Sequence, residues 1–307
     1  MTEHILSLSY GKDSLACLGA IEKLGWPLDR IVHAEIWATH EISADLPPMV
    51  KFKAKADEII KRRWGIEVEH ISAIRGGEKD TYERRFYEVL QRGKFTGTIK
   101  GFPLTIKGWC KHLKYGSHID LRTPVLQGNS VQRTDLWVPN EKRKLVQFRP
   151  ETSSAKAGDE NFSASPVSQG TDKYTVVQYL GIALDEPIRL QRLDGVTKKS
   201  PLAEIGWTEA DARKWCEEND LLSPIYTTAT RGGCWFCHNQ GVDQLRLLRK
   251  DYPELWNLLM KWDLDSPVTF HSDGHTVHDF DRRFALEDEG KVPADRKFRW
   301  KMIDEGR

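Results

Sequence analysis

The chain predicts an α/β fold: a doubly wound, mostly parallel sheet with a small helical C-terminal region and a polar insertion. Three features lead to it. Short apolar runs alternate with segments of helical period up to residue 91 and again from residue 176. A turn rich in Ser and carrying Gly, Lys and Asp joins the first apolar run to the first helical pattern, as a ligand loop at the carboxyl end of a parallel strand does. Between about residues 118 and 174 the alternation stops, and 151–172 is rich in Ser, Ala, Gly and Asp, which marks an inserted loop.

Ile5-Leu6-Ser7-Leu8 reads as a buried strand, and Leu15, Cys17, Leu18, Ile21 and Leu24 fall at helical spacing after it. Gly25 and Pro27 stop that helix. A second strand is expected over 31–37, a helix from Pro47-Pro48 through Ile60, a third strand over 66–71, a helix over 81–91 and a fourth strand over 176–182. Inside the insertion, Leu136-Trp137-Val138 and Leu145-Val146-Gln147-Phe148 suggest a hairpin. Thr208 is a suitable N-cap for a helix to about Asn219, and two amphipathic helices follow over 242–250 and 253–262. From Asp265 onward the chain reads as a polar tail. The expected organisation is a nucleotide-binding α/β unit from 1–117 and 175–230, the insertion 118–174, and a C-terminal helical region 231–307.

With 307 residues, 39% hydrophobic and 30% charged, the composition is that of a globular chain. Lys+Arg 46 against Asp+Glu 45 creates no global basic field, so nucleic-acid binding is not demanded, though the tail residues Arg282, Arg283, Arg296, Lys297, Arg299, Trp300 and Lys301 could form a local patch beside solvated surface. No apolar run reaches membrane-spanning length, and the N-terminus lacks a signal-peptide core, so a cytoplasmic protein without a membrane partner is expected. In that setting five cysteines suggest thiols or metal ligands rather than disulfides.

The hexapeptide Ser9-Tyr10-Gly11-Lys12-Asp13-Ser14 is the sharpest functional signal. A strand that turns through Gly into a helix, with hydroxyls and a Lys at the turn, can hold phosphate: backbone N–H groups at the helix start point at the anion and the helix dipole adds to them. It is not the Walker pattern, because GxxxxGK[ST] is missing. The second signal is Cys234-Trp235-Phe236-Cys237, whose spacing suits one tetrahedral metal or an iron–sulfur cluster, or else a redox pair or two buried thiols. Cys110 is a candidate third ligand and Cys216 a fourth, with His112 and His238 competing for that place; Cys17 lies on the apolar face of the first helix and reads as core.

Several segments together resemble one family. The loop 9–14, Trp109-Cys110 followed by Lys114, Gly181-Ile182-Ala183 with Asp185-Glu186 and Arg189, Pro201-Leu202 with Trp207-Thr208, Pro224-Ile225-Tyr226 and Gly233-Cys234-Trp235-Phe236-Cys237 occur in order. The loop is similar to the SGGKDS loop of the PP-loop ATP pyrophosphatases. The ordered set, over roughly 4–117 and 175–263, is similar to the phosphoadenosine phosphosulfate (PAPS) reductase family of the adenine nucleotide α-hydrolase superfamily. The resemblance implies ATP and Mg²⁺ as cofactors. It implies phosphate contacts from Ser9, Tyr10, Gly11, Lys12, Asp13, Ser14 and Lys114, with Lys12 and Asp13 catalytic. Glu35 and Gly181 are implied near the nucleotide, and Glu186 and Arg189 near it or its substrate. Tyr10 stands where the family usually has Gly, a departure expected to narrow the loop. Reductases of the family tend to lose the Lys-Asp pair and carry a nucleophilic cysteine near the C-terminus; this chain keeps Lys12 and Asp13 and has no cysteine after Cys237. The resemblance therefore implies ATP cleavage to an adenylate and pyrophosphate, to activate an acceptor for sulfur transfer. The cysteines would hold a zinc ion or an iron–sulfur cluster, and a cysteine desulfurase would be a possible sulfur donor. Nucleic acid is one candidate acceptor, as in DNA phosphorothioation. The rival expectations are sulfonucleotide reduction and a non-catalytic nucleotide- or nucleic-acid-binding accessory protein.

Overall fold

A five-stranded, all-parallel sheet in the order β3-β2-β1-β6-β7 organises the molecule. The structure, a computed structural model, describes residues 2–104, 108–111, 113, 175–227 and 232–305. The insertion 118–174 with its expected hairpin, His112 and Lys114 lie outside the described residues. Strands β1 (Thr2–Leu8), β2 (Arg30–Glu35) and β3 (Val68–Ser72) run outward in one direction, joined by helices α1 (Lys12–Leu24) and α2 (Pro47–Trp64). The chain then returns: β6 (Thr175–Tyr179) pairs with the other edge of β1, Leu6 opposite Tyr179, and β7 (Lys198–Lys199) extends the sheet beyond it. The order therefore reverses between β1 and β6, where ligands bind in open parallel sheets, beyond the strands' carboxyl ends. No described helix is long and apolar enough to cross a membrane.

Alternation along the strands separates two faces. Leu6, Leu8, Ile31, Val177 and Tyr179 join the main core, with Leu15 and Leu18 of α1, Phe52 and Ile60 of α2, Leu202 of α5 (Pro201–Glu204) and Trp215 of α6 (Glu209–Glu218). Ile5 and Val32, with Ile71 and Val176, form a thin cluster on the opposite face. The expected covering of both faces is thus seen on one: among the described residues, α1, α2, α5 and α6 share the first face, while Ser7, Ala34, Val176 and Gln178 of the second line a cavity. In between, β4 (Ile74–Arg75) and β5 (Glu78–Lys79) form a small antiparallel pair, α3 spans Tyr82–Phe86, and the four-residue α4 (Pro187–Leu190) follows β6.

A second apolar core draws on two distant stretches. Ala38, Ala44, Tyr82, Phe86, Phe102 and Trp109 pack with Trp235, Phe236, Trp262, Phe270, Phe280 and Phe284. The later half comes from α7 (Val242–Asp251), α8 (Pro253–Asp265) and α9 (Val277–Asp288), with a short α10 (Lys301–Glu305) after them. The polar tail expected from Asp265 is corrected here: Val277, Phe280 and Phe284 recur at helical spacing on α9 and are buried, and a Thr276–Asp279 capping box starts that helix. Two members of its possible basic patch are engaged internally. Arg283 is buried, bonded to Glu287 at 2.7 Å and lying 3.6 Å from the Phe298 ring, and Trp300 stacks on His275 at 3.6 Å.

Most other elements fall within a few residues of expectation. Thr208 caps α6 through a full capping box with Asp211. The helix expected over 81–91 ends at Phe86, because Val89 instead pairs with Ile99 in an antiparallel bridge. The fourth strand ends at Tyr179, and Gly181 and Ile182 belong to the loop beyond it. Helices α1 and α6 are closely packed at Gly19, where an added Cβ would lie 2.3 Å from Cε2 of Trp215. Helix propensity alone favours Ala over Gly by about 1 kcal/mol. The contact is with the fixed part of a buried indole, so steric conflict outweighs propensity. Gly19→Ala is expected to lower unfolding free energy by roughly 1–3 kcal/mol in denaturant titration; a stabilised variant would contradict this packing.

Candidate functional site

The segment 9–14 leaves the carboxyl end of β1 and enters α1 with Gly11 as N-cap. Internal hydroxyl bonds shape the turn. Ser14 Oγ donates to the Gly11 carbonyl at 3.0 Å and accepts from the Ser9 amide at 3.1 Å; its one proton being used, Ser9 Oγ is the donor in their 3.0 Å contact. The first amides of a helix have no intrahelical partner. That of Lys12 donates to the Tyr226 hydroxyl at 2.9 Å, which brings the short helix at Pro224–Thr227 against the loop. The loop after β6 closes the other side: a Cβ on Gly181 would lie 2.5 Å from the Ser14 nitrogen and 2.7 Å from the Asp13 carbonyl carbon. Only glycine lets these two backbones meet, which is the physical reason for Gly181 at the switch point.

The Lys12 ammonium sits 2.7 Å from Asp13 and 3.0 Å from Glu209, the first residue of α6. Burial works against its charge, but the bonds to Asp13 and Glu209 outweigh that and its pKa is raised. Burial also raises the Asp13 pKa, opposed by Lys12 and reinforced by Glu209 and Glu186. The site thus holds one ammonium among three carboxylates, with backbone amides beside it: a setting that can take a polyanion together with a divalent cation. Glu186 accepts from the Ala183 amide at 3.1 Å and pairs with Arg189, and Arg189 reaches the cavity wall.

The cavity, about 1260 Å³, opens at the loop and passes along the second face of the sheet. Its described walls include Ser9, Tyr10, Gly11, Asp13 and Ser14 at one end and Gly232, Gly233 and Cys234 at another. Glu35, expected near a nucleotide, is not among those wall residues. It turns to the α1–α2 face, where His70 Nδ1 lies 2.9 Å and Lys53 Nζ 3.3 Å away. Burial would raise its pKa, but the His70 bond and the Lys53 charge reverse this and hold it low. His33, Glu35 and His70 bring metal-ligand atoms within 4.8 Å of one another. Lys53 already supplies the positive charge there, with His33 Nε2 at 2.7 Å and Asp45 at 2.5 Å, and burial followed by the Lys53 charge keeps His33 from protonating. This cluster reads as a structural charge network rather than a metal centre.

Three of the candidate ligands lie in one neighbourhood and one does not; among the described residues the trio that brings ligand atoms within 4.8 Å of one another is His33, Glu35 and His70, not the cysteines. Cys110, Cys234 and Cys237 all act electrostatically on the hydroxyl of Tyr82, a buried group that among the described residues has no hydrogen-bond partner. Tyr82 is enclosed by Phe236 at 4.1 Å, Trp109 at 4.9 Å and Trp262 at 5.2 Å between ring centres. The C-x-x-C turn is fixed by Trp235, whose amide donates to the Ala44 carbonyl at 2.9 Å and whose indole donates to the Ser43 carbonyl at 2.8 Å. Burial, with Cys237 nearby, pushes the Cys110 thiol up to about 11. Cys216, expected as a fourth ligand, is placed elsewhere: it is fully buried in the sheet core, its thiol 3.2 Å from the Lys12 carbonyl, because α6 presents its apolar face to α1. Burial, followed by the charge of His271, lowers the His238 pKa. Cys17 is core, as expected.

Glu209, Tyr226, Tyr82 and the His33–Lys53–Asp57–His70 network were not singled out in the sequence. Tyr226 belongs to the segment Pro224-Ile225-Tyr226 and Glu209 follows Trp207-Thr208, both without a role assigned to them; the others lacked any local signal, since their partners are tens of residues away. No protein-family model, curated protein or solved structure matches the chain.

His70 carries a testable charge. Its bonds to Asp57 and Glu35, both 2.9 Å, raise its pKa to about 9. The folded value lies above the unfolded one of about 6.5, so this contribution to stability is complete below that pH and is lost as pH rises through about 9. Chemical denaturation between roughly pH 6 and 10 should show wild type losing stability relative to His70→Gln, so that the gap between them narrows. A gap independent of pH would refute the assignment.

Proposed function

We propose that the protein binds ATP with Mg²⁺ at the loop 9–14 and cleaves it between the α and β phosphates, giving pyrophosphate and an adenylate that activates an acceptor. The observation that carries this reading is the position of the loop: at a helix start, at the reversal of strand order, with Ser9, Gly11, Asp13 and Ser14 on the wall of a cavity large enough for a nucleotide and a second molecule. Lys12 and the amides at the start of α1 would stabilise the negative charge that develops on the leaving pyrophosphate. To reach a phosphate, the Lys12 ammonium would exchange a carboxylate partner for the phosphate oxygens. Asp13, with Glu209 and Glu186 near it, would balance Mg²⁺ held mainly by phosphate and water. Arg189 would face the nucleotide or the acceptor from the cavity wall. Within this reading the chain is a member of the PAPS reductase-like PP-loop enzymes, acting in sulfur transfer.

The cysteine site supports a bound inorganic group. Three thiols lie around the buried Tyr82 hydroxyl, which among the described residues has no hydrogen-bond partner, and a buried polar group left unpaired is costly. Cys110, Cys234 and Cys237 would hold a zinc ion or an iron–sulfur cluster. Such a group would supply structural cross-linking or a place to bind sulfur. Cys234 lines the nucleotide cavity, so a sulfur species held there would face an activated acceptor.

Two experiments test the reading. Lys12→Ala should remove most pyrophosphate release from Mg-ATP, by about 10²-fold or more as for loss of a transition-state charge contact, with circular dichroism unchanged. Equal release by a folded variant refutes the role of the loop, and robust sulfite production from PAPS with thioredoxin would favour a reductase instead. Cys234→Ser, purified without oxygen, should lose metal or visible absorbance together with thermal stability, since binding energy at such a site is also folding energy. Full metal content with an unchanged melting temperature would overturn the cysteine assignment.

A further inference from the structure

We propose that Tyr10 is a positioning residue that holds the loop 9–14 in its anion-binding shape through a hydrogen bond from its hydroxyl to Asp57. The inference rests on the reading of that loop as a phosphate site and adds a device to it.

Tyr10 has φ 55°, the left-handed region, which is a genuine outlier for a bulky side chain. Among the described residues the other non-glycine at positive φ is Asp220, a type that tolerates this region. Such a conformation costs of order 1–3 kcal/mol and persists only where the surroundings hold it. They do so here. The side chain is fully buried, and its hydroxyl reaches α2 and β3 beneath the loop. The ring meets His33 of β2 edge-on at 4.8 Å. The hydroxyl donates to Asp57 Oδ1 of α2 and lies 3.1 Å from His70 Nε2 of β3. Asp57 and His70 are bonded to each other, His70 to Glu35, and Glu35 to Lys53, which Asp45 also holds. One side chain thus ties the loop to three elements through an anchor that is itself fixed.

The consequence is preorganisation. Residue 10 sets the direction in which the chain enters Gly11 and α1, and so the aim of the first helix amides. Removing the hydroxyl leaves the packing of the ring but frees the turn, so that ligand binding must order it.

The test is calorimetric binding of inorganic pyrophosphate and of Mg-ATP to the full chain. Tyr10→Phe should raise both dissociation constants by roughly 5–30-fold, the range set by ordering about one backbone residue. Asp57→Ala should do the same, Asp57→Asn should bind within about threefold of wild type because it keeps an acceptor oxygen, and Tyr10→Phe/Asp57→Ala should be little weaker than either single variant, as coupled partners are. If Tyr10→Phe is poorly folded, the Asp57→Ala and Asp57→Asn pair decides. Tyr10→Phe or Asp57→Ala binding like wild type, while Lys12→Ala loses binding, overturns the Tyr10 role and leaves the loop reading standing. Wild type and Lys12→Ala binding alike overturns the loop reading and this inference with it.

Discussion

The site depends on one close approach, the seating of Gly181 on the backbone of Asp13 and Ser14. It follows from pairing β6 beside β1 although more than 160 residues separate them in the chain. Parallel pairing aligns their carboxyl ends, so the loops that leave them must share space. Glycine on one side and a helix start on the other is a solution that lets the two backbones meet at the crevice. Everything else in the candidate site is arranged around that contact: Glu186 and Arg189 follow Gly181, and Tyr226 and Glu209 reach the loop from elements that come after β7.

Two layers of electrostatics lie around the loop, and they differ in kind. Above it, Lys12, Asp13, Glu209 and Glu186 form a charged cluster of which Asp13 lines the cavity, and its ion pairs can exchange partners with a ligand. Below it, Tyr10, His33, Glu35, Lys53, Asp57 and His70 satisfy one another within the fold. A buried polar network of this sort specifies one arrangement when every member is paired, and is costly when one is removed. The lower layer gives the loop a fixed floor, while the upper layer is free to respond. The second core contributes the far end of the cavity: its aromatic side chains carry the C-x-x-C turn, and Trp235 locks that turn onto the segment after β2, so the cysteines and the loop are parts of one framework.

The parts legible in the sequence are those encoded locally. Hydrophobic period places β1, α1, α2, α6, α7 and α8 within a few residues, and the Thr208 cap is readable because its partner Asp211 is three residues on. The loop 9–14 is legible for the same reason. Spacing combined with an ordered resemblance points to Cys110, Cys234 and Cys237 together, and all three lie in the neighbourhood of Tyr82. What escapes is set by tertiary packing. Cys216 carries the same thiol as the others, yet its position on the apolar face of α6 commits it to the core. Glu35 sits at a strand end where a ligand contact is expected, but strand parity turns it to the α2 face, toward Lys53. The tail after Asp265 looks polar in composition while its apolar residues fall on a single helical stripe, a pattern that a composition count dilutes. Tyr82 is silent in sequence because its meaning lies in three cysteines that reach it from two distant segments.

The central claim is that the amides and ammonium at the start of α1 receive nucleotide phosphates at the β1–β6 reversal. The most direct measurement is a crystal structure with the α,β-methylene analogue of ATP and Mg²⁺, which cannot be cleaved at the bond in question. The account predicts analogue phosphates within hydrogen-bond distance of the backbone at Gly11, Lys12, Asp13 or Ser14, with the Lys12 Nζ moved from a carboxylate to a phosphate oxygen. Analogue bound elsewhere, with Lys12 still held by Asp13 and Glu209, would contradict it.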